Sequence, residues 1–145
     1  MSASSRGILG AFAATALLYL SAAGHAHDWA ATSDDATTQG QALYSLYCAA
    51  CHQANGEGVT GAFPPLKGSA VVNRADATKH IDVVLSGLQG ARVSGVTYTN
   101  PMPAFGAALS DEVVASIIDY ERGAWGNHGV LITPDQVASE RARLK

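Results

Sequence analysis

The sequence predicts an all-α fold of three to five short helices joined by long loops rich in glycine and proline. Two observations carry that expectation: apolar residues recur at helical spacing in separate stretches, and capping or stop signals bound those stretches. No alternating strand-and-helix pattern, internal repeat or low-complexity segment competes with it. At 145 residues the chain is one domain by length.

A first helix is expected from about Ala36 to Ala50, with Asp34 or Asp35 as its cap and Leu43, Tyr44, Leu46 and Tyr47 as its apolar surface. Gly56, Gly58, Gly61, Pro64, Pro65 and Gly68 make residues 53–68 a loop. A second helix should begin near Asn73 or Asp76 and run through Ile81, Val83, Val84 and Leu85 until Gly87 and Gly90 stop it. Ala91 to Gly106 reads as a second loop, with Asn100-Pro101-Met102-Pro103 in its middle. Ser110 is a good N-cap, and Asp111 and Glu112 in the following turn face the positive end of the helix dipole. That helix takes its apolar face from Val113, Val114, Ile117, Ile118 and Tyr120 and ends near Arg122 and Gly123. Thr133-Pro134-Asp135-Gln136 combines a Thr cap, Pro at the first helical position and Gln at the third, which predicts a short helix from Pro134 to about Arg143. With little apolar surface beyond Val137, Ala138 and Leu144, it should pack on the domain edge or on a partner.

The N-terminus reads as a targeting segment. Residues 1–6 are polar with one charge, Arg6, and residues 7–24 are apolar or small. Small residues at Ala26 and Ala23 offer cleavage points, with Ala26 preferred, so residues 1–26 are expected to be a secretory signal peptide. The alternative is an uncleaved membrane anchor, since about 18 residues just suffice to span a bilayer. Residues 27–38 then form a flexible lead-in, 39–126 the helical domain, and 127–145 a C-terminal extension carrying the short helix. Removing the signal takes the formal charge from −3 to −4, and no basic stretch exists, which excludes a nucleic-acid binder.

Cys48-Ala49-Ala50-Cys51-His52 is the most informative string in the chain. C-x-x-C-H is the attachment pattern of a c-type haem: two thiols one helical turn apart add to the two vinyl groups, and the next residue offers an imidazole to the iron. A redox disulfide or half of a zinc site are the alternatives. The disulfide reading lacks the usual strand before it. The zinc reading lacks ligands, because these are the only two cysteines. Haem attachment is made outside the cytoplasmic membrane in bacteria, which agrees with an exported chain.

Haem iron held by His52 has one axial position left, with His25, His27, His80, His128 and Met102 as candidates. Met102 is taken as the ligand. It is the only methionine besides Met1, it lies about fifty residues after the motif, and Pro101 and Pro103 stiffen its backbone on both sides. A thioether suits an iron that cycles between two oxidation states. Ordinary core filling is the alternative role. His80 sits on an amphipathic helix and is expected to be exposed, and His128 lies in a Gly-rich loop and reads as surface.

These residues resemble class I monohaem bacterial cytochromes c. Gly40, Tyr44, Cys48, Cys51 and His52 match the family's first helix, and Gly56-Glu57-Gly58, Phe63-Pro64-Pro65-Leu66, Met102-Pro103-Ala104-Phe105 and Leu109-Ser110-Asp111 follow in the family's order. The match runs from about Gln39 to Trp125, and the tail from Trp125-Gly126-Asn127 onward resembles cytochromes that serve periplasmic oxidoreductases. The resemblance implies a small haem-wrapped fold whose N- and C-terminal helices cross where Gly40 and Tyr44 meet Ile117 and Tyr120. It also implies that the Pro65 carbonyl accepts from Nδ1 of His52, and it suggests Arg92 and Tyr98 as propionate contacts.

The expected function is single-electron transfer in the periplasm through one covalent haem c, between redox partners such as a dehydrogenase, a quinol-oxidising complex or a terminal oxidase or reductase. A dedicated relay subunit of an oxidoreductase complex and a sensor of NO or CO are the alternatives. The chain shows no catalytic pair or second metal motif and does not read as an enzyme. Ala49, Ala50, Ala62 and Ala104 are expected to form the patch where a partner docks.

Overall fold

The computed structural model describes Met1 and residues 33–145. The expected signal peptide, residues 1–26, lies outside the described residues, as do His25 and His27. Among the described residues there are five helices and one two-stranded ribbon: α1 (Ser33–Tyr47), α2 (Ala49–His52), α3 (Thr78–Ser86), β1 (Ala91–Val93), β2 (Val96–Tyr98), α4 (Asp111–Gly123) and α5 (Pro134–Arg143). No helix among these residues is long and apolar enough to cross a membrane.

Helix α1 begins at Ser33, so residues 33–38 of the expected flexible lead-in are helical. Asp35, one of the two expected caps, lies inside α1. The backbone ladder continues across Cys48, whose N–H donates to the Tyr44 carbonyl at 2.8 Å while its own carbonyl accepts from His52 at 2.9 Å. The C-x-x-C-H string therefore occupies one more helical turn instead of ending the helix at Ala50. Gln53 stops that turn by adopting a positive φ of 64°.

Helix α4 lies across α1, and glycine makes the close approach feasible. A Cβ on Gly40 would sit 2.5 Å from the Ser116 carbonyl oxygen and 2.9 Å from Cβ of Tyr120. Tyr44 is 1% exposed, with its ring centroid 5.4 Å from that of Tyr120 and 5.0 Å from that of Trp125. Edge and tilted contacts of this kind add to the area that the three rings bury. Ile117, Ile118 and Val114 on α4 face a core shared with Ile81, Val84 and Leu85 of α3. Ser110 caps α4 with its hydroxyl accepting from Val113 N–H at 3.4 Å.

The ribbon is a correction to the expected loop over residues 91–106. Ala91, Arg92 and Val93 pair antiparallel with Tyr98, Thr97 and Val96. Ser94 and Gly95 both adopt positive φ, 48° and 83°, the two-residue turn whose twist suits a hairpin. Three-residue arms are too short to show an alternation in sequence, but Val93-Ser94-Gly95-Val96 carries the local turn signal.

Helix α5 has the capping box its sequence announces, and it belongs to the core. Val137 is fully buried and Ile132 nearly so. The Arg141 guanidinium donates to Asp111 at 2.8 Å, to the Leu109 carbonyl at 3.0 Å and to the Gly106 carbonyl. Arg143 reaches Asp82 at 2.6 Å. The C-terminal extension is thus stitched to α3 and α4, not held free for a partner.

Gly40→Ala should lower the stability of the haem-bearing protein by about 1–3 kcal/mol through overpacking, read by chemical denaturation. A loss below about 0.5 kcal/mol, the range of ordinary surface changes, would show that the two helices do not depend on this contact.

Candidate haem site

The turn after α1, the loop after α2, one face of α3, the ribbon and the Met102 loop enclose a single cleft. Its empty volume is about 1120 Å³ counting the space at the mouth, and Cys48, Cys51, His52 and Met102 all line it. Its walls are chiefly apolar, with Phe63, Leu66, Val83, Val84, Leu88 and Phe105 prominent. Nothing in this lining resembles a zinc cage: among the described residues no three His, Cys, Asp or Glu side chains gather as a metal-binding group. Two thiols, the His52 imidazole and one thioether in a chiefly apolar cleft fit a covalently held haem, whose macrocycle the walls would cover.

His52 is buried, and its Nδ1 lies 2.8 Å from the Pro64 carbonyl oxygen. In the neutral ring Nδ1–H donates to that oxygen, which leaves the Nε2 lone pair free for a metal and raises its basicity. The partner is Pro64, not Pro65 as the resemblance implied. Val59 and Phe63 pair backbone to backbone, at 2.8 Å in both directions, and this short bridge sets the direction of the carbonyl that follows. Pro65 instead forms part of the cleft wall.

Met102 is held in position by an isolated two-way bridge. Its N–H donates to the Leu88 carbonyl at 2.8 Å, and its carbonyl accepts from Leu88 N–H at 3.1 Å. Gly87, just before this bridge, has φ +74°, and a Cβ there would lie 2.5 Å from the Met102 carbonyl oxygen. Phe105 meets the Tyr47 ring edge-on with centroids 6.3 Å apart, joining the Met102 loop to the end of α1.

The other expected contacts divide. Tyr98 is buried and lines the cleft. Arg92 is exposed in the middle of β1, while its neighbours Ala91 and Val93 line the cleft; strand alternation turns it away from the site. Gly40, Tyr44, Ile117 and Tyr120 lie at the α1–α4 crossing described above. His128 is exposed.

His80 is the main revision. It was expected on the surface but is 4% exposed, with Nε2 2.8 Å from Oε2 of Glu121, itself 3% exposed. Both line the cleft. A faint signal was present: His80 is four residues before Val84, and Glu121 four after Ile117, so each shares a face with a core residue. Burial first, and the negative charge of Glu121 second, push the Cys48 thiol upward. Burial likewise raises the Tyr44 phenol, with Glu121 adding to the effect. It stays protonated and donates to the Gln53 carbonyl at 2.6 Å.

Asn127 is the other residue that sequence reasoning passed over. Its amide nitrogen donates to the Leu66 carbonyl at 3.1 Å and the Glu121 carbonyl at 2.8 Å, while its Oδ1 accepts from Gly68 N–H at 2.8 Å. One buried side chain thereby ties the loop after α2 to the end of α4.

A mostly helical chain that brings a C-x-x-C-H turn and a methionine loop to one apolar cleft has the architecture of a small haem protein. Residues 35–120 match the family model described as cytochrome c oxidase, cbb3-type, subunit III. Cytochrome c-552 of Thermus thermophilus is 34% identical over 131 residues, covering 75% of this chain and 87% of that protein. The gluconate 2-dehydrogenase cytochrome c subunit of Pantoea cypripedii is 37% identical over 112 residues, covering 74% of this chain and 25% of that longer protein. Among solved structures, the c-type cytochrome XoxG of Methylobacterium extorquens AM1 gives a TM-score of 0.46 at 22% identity, covering 76% of this chain and 67% of that one. The chain belongs to the cytochrome c family. It is an electron carrier of cytochrome c type and not an enzyme, and membership of the family implies a covalently bound haem c.

Gly87→Ala forces a side chain into a positive-φ position against backbone, which should destabilise the protein by more than about 1 kcal/mol. The midpoint in denaturant checks this, and an unchanged midpoint would mean that the Leu88–Met102 bridge yields freely.

Proposed function

We propose that this chain is a single-haem electron carrier in which Cys48 and Cys51 bind the porphyrin through thioethers and His52 and Met102 are the axial ligands. The haem, when bound, supplies a one-electron iron couple. The observation that carries the reading is the convergence of these four side chains on one cleft, with Nδ1 of His52 already engaged by Pro64. His52 is held so that only Nε2 is available. Met102 is fixed at both its N–H and its carbonyl, so its sulfur need not be recruited from a loose loop. With both axial positions filled by the protein, substrate has no route to the iron and the surroundings rearrange little between oxidation states, which keeps the barrier to electron transfer low.

The carrier works outside the cytoplasmic membrane, with residues 1–26 as its export signal. It exchanges electrons with a dehydrogenase, a quinol-oxidising complex or a terminal oxidase or reductase. The similarity to a cytochrome subunit of a dehydrogenase favours a dehydrogenase among these and supports, as a second reading, a relay subunit of such a complex. In that reading α5 is not the docking element, because its apolar face is spent on α3 and α4. Docking instead falls to exposed residues at the edge of the cleft, Ala50 and Ala104 among them, with the half-buried Ala49 and Ala62 beside them.

Met102→Ala should abolish the weak long-wavelength ferric absorption that reports an iron–sulfur bond and should lower the reduction potential; a variant with the wild-type ferric spectrum would remove Met102 as ligand. Ala104→Glu should slow electron exchange with the physiological partner several-fold and leave the haem spectrum unchanged, as stopped-flow kinetics would show. Unaltered kinetics would move the docking surface elsewhere.

A further inference from the structure

The cleft contains one carboxylate, Glu121, and one histidine besides His52, namely His80; among its lining residues there is no lysine, arginine or second acid. The two are hydrogen-bonded and almost wholly buried. Nδ1 of His80 is buried without a hydrogen-bond partner. Glu121 and Cys48 line the same cleft, and the negative charge of Glu121 acts on the Cys48 sulfur. That sulfur is one of the two that would carry the haem, so the pair stands beside the attachment point. With a neutral imidazole the pair carries a net charge of −1, and with one more proton it carries none. A buried net charge is costly, and its cost depends on the charge next to it. Oxidised haem offsets the negative charge, and an added electron removes that offset.

We propose that His80 and Glu121 couple a proton to the electron: the pair gains one proton when the haem is reduced and releases it when the haem is oxidised. This rests on the haem reading given above. One electron comes from the redox partner and one proton from solvent, and Nδ1 of His80 is the open position for it. The surrounding groups leave the pair as the acceptor. Tyr44 of α1 is already protonated and bonded to Gln53, and Cys48 becomes a thioether. Tyr47 and Tyr98 also line the cleft. On α3, Asp82 is bonded to Arg143 and Lys79 is exposed. On α4, Asp119 accepts from Ile132 N–H, and Arg122 donates to the carbonyls of Val130 and Arg74.

The test is the midpoint potential of the haem-bearing protein, followed spectroelectrochemically from about pH 5 to about pH 8, the span in which imidazole chemistry operates. The midpoint should fall as pH rises, because the reduced state holds the proton more tightly. A tenfold difference in proton affinity between the two states converts to about 59 mV for one electron. Glu121→Gln and, separately, His80→Gln should keep the visible bands and flatten this dependence; if one variant fails to fold, the other decides. A wild-type midpoint independent of pH overturns the proposal. So does a slope that survives in the variants, which would assign the proton to the haem propionates. Absence of haem from the purified protein, seen by mass and colour before any titration, would instead overturn the haem reading and this inference with it.

Discussion

The contact on which the rest of the site depends is the crossing of α1 and α4 at Gly40. It brings the backbone of α1 against the Ser116 carbonyl and sets Tyr44 among Tyr120 and Trp125. Because the helical ladder runs on from Tyr44 through Cys48 to His52, the position of the thiols and of the imidazole follows from where α1 rests on α4. The same contact brings Glu121 of α4 close to Cys48. A small displacement at Gly40 would therefore be felt at Cys48, Cys51 and His52, although none of them is among the atoms nearest the glycine.

The far wall of the cleft is held differently, by polar groups that bridge distant parts of the chain. Asn127 spans from the Leu66 carbonyl to the Glu121 carbonyl, Trp125 Nε1 donates to the Ala54 carbonyl at 3.1 Å, and Arg122 reaches the carbonyls of Val130 and Arg74. The loop over residues 53–77 contains no helix or named strand, and its own backbone bonds are local turns and the Val59–Phe63 bridge. Side-chain donors from the end of α4 and the segment after it tie these local turns to the rest of the chain. This explains how so irregular a segment can present Pro64 to His52 in a defined direction.

Much of this was legible from local signals. Ser110 and the Thr133–Gln136 box announce α4 and α5 because capping chemistry acts within four residues. The C-x-x-C-H string and Met102 between two prolines marked the residues that line the cleft. What was not legible depends on tertiary placement. His80 is polar on a helix with exposed residues at Lys79 and Ser86, and its partner Glu121 comes from α4, forty-one residues away in sequence. Pro64 and Pro65 offer equivalent carbonyls in sequence, and the Val59–Phe63 bridge chooses between them. The short ribbon at residues 91–98 lacks the length for an alternation, yet it is the strand period that turns Arg92 away and Tyr98 inward. The role of α5 was underestimated because two buried residues, Ile132 and Val137, suffice to dock it once Arg141 and Arg143 hold its end.

In the arrangement proposed above, these elements hold a porphyrin fastened at Cys48 and Cys51 within the cleft and ligated by His52 and Met102. The most direct measurement is the intact mass of the purified coloured protein in denaturant, taken with its ferric and ferrous visible spectra. The account predicts a mass one haem greater than that of the polypeptide, not lost on unfolding, and low-spin spectra in both oxidation states. A polypeptide that sheds its colour on unfolding, or that carries no haem at all, would contradict it.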